Sequence, residues 1–110
     1  MRLPNAEAAI VEIEKLRDYC LSSGHPRGRH KARVFYSLLG MTAADAEELR
    51  VALIDAALNE EASAGASDQY GARYTIDFQF RRGSRAAGIR SCWIVLTGED
   101  APRFVTCYIL

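Results

Sequence analysis

The sequence has few of the residues that build recognisable metal, disulfide or nucleotide sites. Its three cysteines, Cys20, Cys92 and Cys107, are odd in number and lack the CxxC spacing of zinc and redox sites. His25 and His30 lie five residues apart across a proline with no local carboxylate, so we expect no metal site. P-loop, GxGxxG, GxSxG and HExxH motifs are all absent. We therefore expect no cofactor, and the sequence argues against enzyme classes that carry a local signature.

Long hydrophobic runs are also missing. No apolar stretch approaches the ~20 residues of a membrane helix, and the first fifteen residues lack the continuous apolar segment of a signal peptide. Unpaired thiols are typical of a reducing compartment, so we expect a cytoplasmic protein that does not contact a membrane. A chain of 110 residues with 49% hydrophobic residues and only 3 prolines fits one packed domain over residues 1–110.

Positive charge is concentrated in one stretch although the chain balances 14 basic against 14 acidic residues. Residues 25–33 hold four cations and two histidines without any acid; the cations are Arg27, Arg29, Lys31 and Arg33. Such a block is often only a solvated face, but cations at the start of a helix oppose its dipole. We therefore favour phosphate or RNA binding for this stretch, with a solvated helix end as the alternative.

The periodicity of apolar residues predicts an α+β fold. Helical spacing changes to alternation after the segment SAGASD (63–68), which we interpret as a loop. Short connections between the strands favour an antiparallel meander with about three N-terminal helices packed on one face. The predicted elements are helices near 12–21, 29–39 and 43–62, and strands near 72–81, 88–97 and 103–109.

The polar side chains best suited to catalysis or ligand binding lie on the last strand, the second helix and the loop before that helix. Strict alternation places Thr106 and Tyr108 on one strand face and Arg103 on the other, unless a bulge interrupts the strand. Lys31 lies at the margin of the apolar helix stripe, where its stem packs on the core and its amine reaches a cleft. His25 suits a proton-transfer role or a hydrogen bond that orders its loop. For Thr106 and Tyr108, simple β-propensity is the competing explanation.

Several segments together resemble a poorly characterised family of bacterial domains of about this length that open with LPN. The segments are LPNAEAAIV, DYCLSSGHPRGRHKARVF, LGMTAADAEELR, QYGARY, SCWIV and GEDAPRFVTCYIL. Members of the family occur alone, beside a small β-barrel-like protein, and as C-terminal modules of contact-dependent-inhibition and other polymorphic toxins. The order of helices and sheet is similar to barnase- and RelE-like ribonucleases, in which a concave sheet holds RNA without metal.

This resemblance implies a small metal-independent ribonuclease that acts as a toxin and is neutralised by a cognate immunity protein. The family pattern includes the positions of Lys31, His25, Thr106, Tyr108 and Arg103, and the ribonuclease hypothesis gives these five residues the catalytic roles. With the basic stretch, the phosphate- and RNA-binding candidates are Arg27, Arg29, Arg33, Tyr70 and Trp93. The alternatives are a non-enzymatic protein-binding module and a nucleic-acid-binding domain without catalysis, which an RNA cleavage assay separates.

Overall fold

Three helices come first and a four-stranded antiparallel sheet comes after them, which confirms the predicted α+β order. The computed structural model describes all residues, 1–110. The helices are α1 (Ile13–Lys15), α2 (Arg29–Leu39) and α3 (Ala46–Asn59), and the strands are β1 (Ala62–Ser67), β2 (Gly71–Arg82), β3 (Arg85–Leu96) and β4 (Arg103–Ile109). Neighbours in sequence are neighbours in the sheet, in the order β1-β2-β3-β4. None of the helices has both the length and the apolar character needed to cross a bilayer.

The first predicted helix is divided into two kinds of turn. One α-helical turn, α1, leads directly into a π turn over Leu16–Cys20. The π turn is closed by the Leu21 N–H, which donates to the Leu16 carbonyl at 2.9 Å, one residue further along than in an α-helix. Leu16 and Cys20 are fully buried, so this turn is fixed by packing against the sheet as well as by its hydrogen bond.

The start and stop residues in the sequence account for where the second and third helices begin and end. Helix α2 has the predicted bounds and stops where Gly40 takes a left-handed conformation, with φ of 66°. The Thr42–Asp45 capping box is present, and a 3-10 turn over Ala43–Asp45 leads into α3. Helix α3 ends at Asn59, three residues before the predicted end, because Glu60 already has extended backbone angles.

The core lies between the helices and one face of the sheet. Residues at alternate positions of the strands face the helices and are buried: Ile76, Phe78, Phe80, Ile89, Ser91, Trp93, Phe104 and Cys107. Phe35 and Leu39 of α2 and Leu49 and Leu53 of α3 meet them. The opposite face of the sheet carries no helix, so the side chains there remain partly open to solvent.

The segment SAGASD is a strand and not the predicted loop. Residues Ala62–Ser67 form β1, whose partners on β2 run from Ile76 opposite Ala62 to Ala72 opposite Ser67. Small residues without alternation give no strand signal of their own. The pairing arises because the edge of β2 supplies backbone donors and acceptors, and this tertiary effect is invisible in the local sequence.

A β-bulge interrupts the alternation of β4. In the pairing with β3, Trp93 lies opposite Phe104 but Cys92 lies opposite Thr106, so Val105 is the extra residue. Phe104 and Cys107 therefore both face the core, with two residues between them. Strict alternation put Arg103 and Thr106 on opposite faces unless a bulge interrupts the strand, and this bulge places both residues on the same face.

Candidate functional site

The Lys31 ammonium is fixed at the edge of β4. Its Nζ donates a 3.0 Å hydrogen bond to Thr106 Oγ1. The same nitrogen lies 5.2 Å from the ring centroid of Tyr19 and 5.7 Å from that of Tyr108, within the range of cation–π attraction. Lys31 forms no ion pair with any carboxylate of the chain. The result is a half-buried cation that has a set position and no carboxylate partner.

This cation lies on the wall of an open cleft of about 610 Å³, here named the Lys31 cleft. The cleft is lined by Glu14, Lys15, Asp18, Tyr19, His25, Lys31, Val105 and Thr106. Of its two carboxylates, Asp18 is bound by Arg17 through two 2.8 Å hydrogen bonds, which lower the pKa of Asp18. Glu14 has no ion pair, so its carboxylate is available to a ligand or a water molecule.

His25 orders the loop that leads into α2. Its Nδ1 accepts the N–H groups of Arg27 and Gly28, each at 3.0 Å. The neutral imidazole therefore carries its proton on Nε2, and its ring packs edge-on against Tyr19 at 4.6 Å between centroids. This confirms the loop-ordering alternative. It also makes His25 a hydrogen-bond donor rather than a base, because its only lone pair is already occupied.

A glycine sets the distance between the two walls of the cleft. A Cβ placed on Gly28 would lie 2.2 Å from the carbonyl oxygen of Tyr19. Only glycine allows the start of α2 to approach the π turn this closely. The approach brings His25 and Lys31 onto the same cleft as Tyr19.

A buried thiol, that of Cys20, contacts the Thr106 hydroxyl on the side away from the cleft. Cys20 Sγ lies 3.6 Å from Thr106 Oγ1, and the hydroxyl proton is free to point at sulfur because the oxygen accepts from Lys31. A hydrogen bond from the Cys107 thiol, with further contributions from Thr106 and Lys31, lowers the pKa of Cys20 to about 6. The same thiol pairing and burial raise the pKa of Cys107. Lys31, Thr106 and Cys20 thus form a continuous polar chain from the cleft to the core.

The open face of the sheet continues this site away from Lys31. Arg90 lies opposite Tyr108 in the register and binds the Asp77 carboxylate through two 2.8 Å hydrogen bonds. These bonds lower the pKa of Asp77, and together with the Tyr108 hydroxyl they raise the pKa of Arg90. Arg103 lies on the same face as Thr106, but Glu99 binds it at 3.0 Å, so its charge is already compensated.

The remaining predicted residues are dispersed over the molecule. Arg29 and Arg33 line a separate cleft on the other side of α2, and Arg27 is exposed in the preceding loop. Tyr70 is 63% exposed in the turn between β1 and β2. Trp93 is only 1% exposed and donates its indole N–H to Ser91 Oγ at 2.9 Å. The proposal that Trp93 contacts RNA is therefore wrong for this structure, since odd-numbered residues of β3 face the core.

Sequence reasoning missed several residues of the cleft. Glu14, Tyr19 and Cys20 were not singled out as site residues. The Asp77–Arg90 pair was also missed, although alternation on β2 and β3 puts both side chains on the open face. No group of three or more His, Cys, Asp and Glu side chains is arranged to hold a metal ion.

The family of the chain is shown by its match to a family described as a domain of unknown function, DUF6883. The match runs over residues 2–110, nearly the whole chain. The chain belongs to the DUF6883 family. No curated protein sequence matches this DUF6883 domain.

The fold of the DUF6883 domain also occurs in a solved structure. That structure is a contact-dependent growth inhibition toxin–immunity protein complex from Klebsiella pneumoniae 342, and one of its chains superposes with a TM-score of 0.68. The superposition covers 92% of this chain and 99% of the other at 17% sequence identity. At that identity the similarity establishes a shared fold.

Proposed function

We propose that this DUF6883 domain is a toxin that cleaves RNA without a metal ion in the Lys31 cleft. The observation that supports this most directly is the ammonium of Lys31, which has no carboxylate partner, is held by Thr106 and two tyrosine rings, and faces an open cleft. A preorganised cation stabilises the extra negative charge that develops on phosphorus during cleavage. The name of the similar Klebsiella complex is consistent with the toxin assignment, and its shared fold carries no further detail.

The proposed reaction is an attack of the ribose 2′-hydroxyl on the adjacent phosphorus. The bond from O2′ to phosphorus forms while the bond to O5′ breaks, giving a 2′,3′-cyclic phosphate and a 5′-hydroxyl. Glu14, the cleft carboxylate without an ion pair, takes the 2′ proton, and the Lys31 ammonium gives a proton to the leaving O5′. Water returns the proton from Glu14 to Lys31 after each turnover. The Nε2–H of His25 and the hydroxyl of Tyr108 donate to the phosphate oxygens.

Phosphate binding around this cleft is supported by cations of the loop and strand. Arg27 is exposed next to His25 and forms no ion pair, so it suits a neighbouring phosphate. Tyr70 offers an exposed ring at the β1–β2 end of the sheet, where a base stacks without competition from the core. Arg103 is the weakest member of the predicted set because a ligand must compete with Glu99 for it.

An acidic immunity protein is the proposed partner, and the cytoplasm is the proposed place of action. A producing cell must neutralise a ribonuclease that acts on its own RNA, and a carboxylate placed against Lys31 blocks the site directly. Lys31 and the Arg29–Arg33 pair line different clefts, so a partner that fills the Lys31 cleft does not need to contact Arg29 and Arg33. We therefore place the partner over the Lys31 cleft and Arg27.

The test is an RNA cleavage assay on purified protein in EDTA and in magnesium. We expect equal cleavage in both, with products that end in 2′,3′-cyclic phosphate, and loss of cleavage in Lys31→Met. Arg81→Gln is a matched control, because Arg81 is an exposed cation without an ion pair on the distant β2–β3 hairpin. Absence of cleavage in both buffers would show that the cleft is not a ribonuclease site.

A non-enzymatic protein-binding module is the second candidate, and the open face of the sheet favours it. Three arginines on this face are each paired with an acid: Arg73 with Asp68 at 2.7 Å, Arg90 with Asp77 at 2.8 Å and Arg103 with Glu99 at 3.0 Å. A face with balanced charge suits a protein surface better than an RNA backbone. Induced expression separates the two roles, since a toxin arrests growth and a binding module or immunity protein does not.

A further inference from the structure

A second cleft of about 580 Å³ lies on the side of α2 opposite to Lys31, here named the Arg29 cleft. Arg29, Arg33 and Tyr36 line it from α2, where spacings of four and three residues put them on one helix face. Leu21 and Met41, which are 3% and 1% exposed, lie at its base, and Ser22 adds a hydroxyl. The volume falls in the range of about 300–1,000 Å³ that is typical of small-molecule sites.

The charges of this cleft indicate an anionic ligand. The guanidinium group of neither arginine forms an ion pair or hydrogen bond within the chain, and no Asp or Glu lines the cleft. Like charges one helical turn apart repel each other, and both lie in the first half of α2, where the helix dipole disfavours cations. A bound phosphate offsets both costs, because two neighbouring guanidinium groups can share its oxygens.

The apolar part of the cleft indicates that the ligand also carries a flat ring. Tyr36 is 63% exposed at the rim, an unusual position for a large aromatic side chain without a partner. Its ring offers a stacking surface, and the buried side chains of Leu21 and Met41 offer an apolar floor. An acidic peptide would use the arginines but would leave this floor without a matching group.

We propose that the Arg29 cleft binds a nucleotide, with its phosphate on Arg29 and Arg33 and its base against Tyr36. The proposal does not depend on the cleavage reaction, since the two clefts lie on opposite sides of α2 and share no residue. It holds equally for a free nucleotide and for the end of an RNA strand, and comparison of a mononucleotide with a short RNA separates the two sources.

The test is a calorimetric titration of the full chain with adenosine 5′-monophosphate, adenosine, inorganic phosphate, a three-nucleotide 2′-O-methyl RNA that the proposed reaction cannot cleave, and a six-residue glutamate peptide. We expect the mononucleotide to bind at least tenfold more tightly than adenosine or inorganic phosphate alone, because only it uses both halves of the cleft. The short RNA identifies a strand end as the source if it binds more tightly still and Arg29→Gln removes that gain, and a free nucleotide otherwise. Equal binding of nucleotide and adenosine, tighter binding of the glutamate peptide, or no nucleotide binding at millimolar concentration overturns the proposal.

Matched variants locate the binding. Arg29→Gln and Arg33→Gln should each weaken nucleotide affinity about tenfold, as expected for loss of a charge-assisted hydrogen bond. Tyr36→Leu should weaken it several-fold while leaving binding of inorganic phosphate unchanged. Arg81→Gln should leave nucleotide affinity unchanged, and unchanged melting temperatures show that all variants fold. If Lys31→Met abolishes nucleotide binding and Arg29→Gln does not, the nucleotide occupies the Lys31 cleft and this assignment is wrong.

Discussion

The two sides of helix α2 carry cations from the same nine-residue stretch, but the cations on one side have protein partners and those on the other side do not. On one side Lys31 is anchored by Thr106 and enclosed by Tyr19 and Tyr108. On the other side Arg29 and Arg33 have no protein partner. The reason is helical geometry, since positions 29 and 31 are about 200° apart around the axis. A run of positive charge in a sequence is therefore not one surface, and the fixed member and the free members suit different chemistry.

The largest expected effect comes from removing the fixed cation. Lys31→Met keeps most of the apolar stem and deletes the charge. RNA cleavage should fall by about 10²–10³-fold, as when one preorganised charged group is removed from an active site. Arg33→Gln deletes one charge from the same helix and should change cleavage by less than about threefold, since Arg33 is exposed on the other side. Single-turnover cleavage rates measure both, and equal losses would remove the distinction between the two sides.

A smaller effect should come from releasing Lys31 without deleting it. Thr106→Val keeps the shape of the side chain but removes the hydroxyl that accepts from Nζ. Cleavage should fall about tenfold, as expected for one hydrogen bond to a charged group. Thr106→Ser restores an acceptor and should recover most of the rate. If the valine variant cleaves at the normal rate, the hydrogen bond does not position Lys31.

Partner association should also distinguish the two sides. For a partner over the Lys31 cleft, Lys31→Met should slow association several-fold, and added salt should slow the wild-type protein further. Arg33→Gln should have a weaker effect on the same rate constant. Stopped-flow mixing with the proposed immunity protein measures these rates. An association rate that is insensitive to ionic strength would contradict a partner bound over the Lys31 cleft.

The smallest expected effect concerns the buried thiol behind Thr106. The pKa of Cys20 is lowered to about 6, chiefly by Cys107 and to a lesser extent by Lys31. A lowered thiol pKa means that the thiolate persists down to about pH 6 and is protonated below it. The ultraviolet absorbance of the thiolate should therefore appear with a midpoint near pH 6. Lys31→Met should raise that midpoint, Cys107→Ala should raise it more, and Arg33→Gln should leave it unchanged.

The sequence predicted correctly those helices and strands that depend on neighbouring residues in the chain. Helix α2 and strand β4 have the bounds expected from periodicity, and the Thr42–Asp45 capping box was readable directly. Strand β1 was not predicted, because small residues pair there only when the edge of β2 is presented to them. Alternation could not reveal the bulge at Val105, since an extra residue depends on which partners a strand finds across the sheet.

The candidate site was predictable to a similar extent. The position of Lys31 beside the apolar stripe of its helix indicated that its amine reaches a cleft, and the structure places it there. The burial of Trp93 was not anticipated, because β3 is apolar on both faces and the sequence does not say which face meets the helices. Tyr19 and Cys20 were missed because regular helical spacing does not describe the π turn that carries them.

That π turn fixes how its own side chains are rotated about the helix axis. Its hydrogen bond spans one residue more than that of an ordinary α-helical turn, so the residues after it are displaced around the axis. Deleting one residue from Leu16–Cys20 would restore the ordinary helix and rotate the C-terminal part of the segment by about 100°. Tyr19 and Cys20 would then turn away from Lys31 and Thr106. A one-residue change in length, rather than any substitution, is thus a short route between a domain of this fold that has the cleft and one that lacks it.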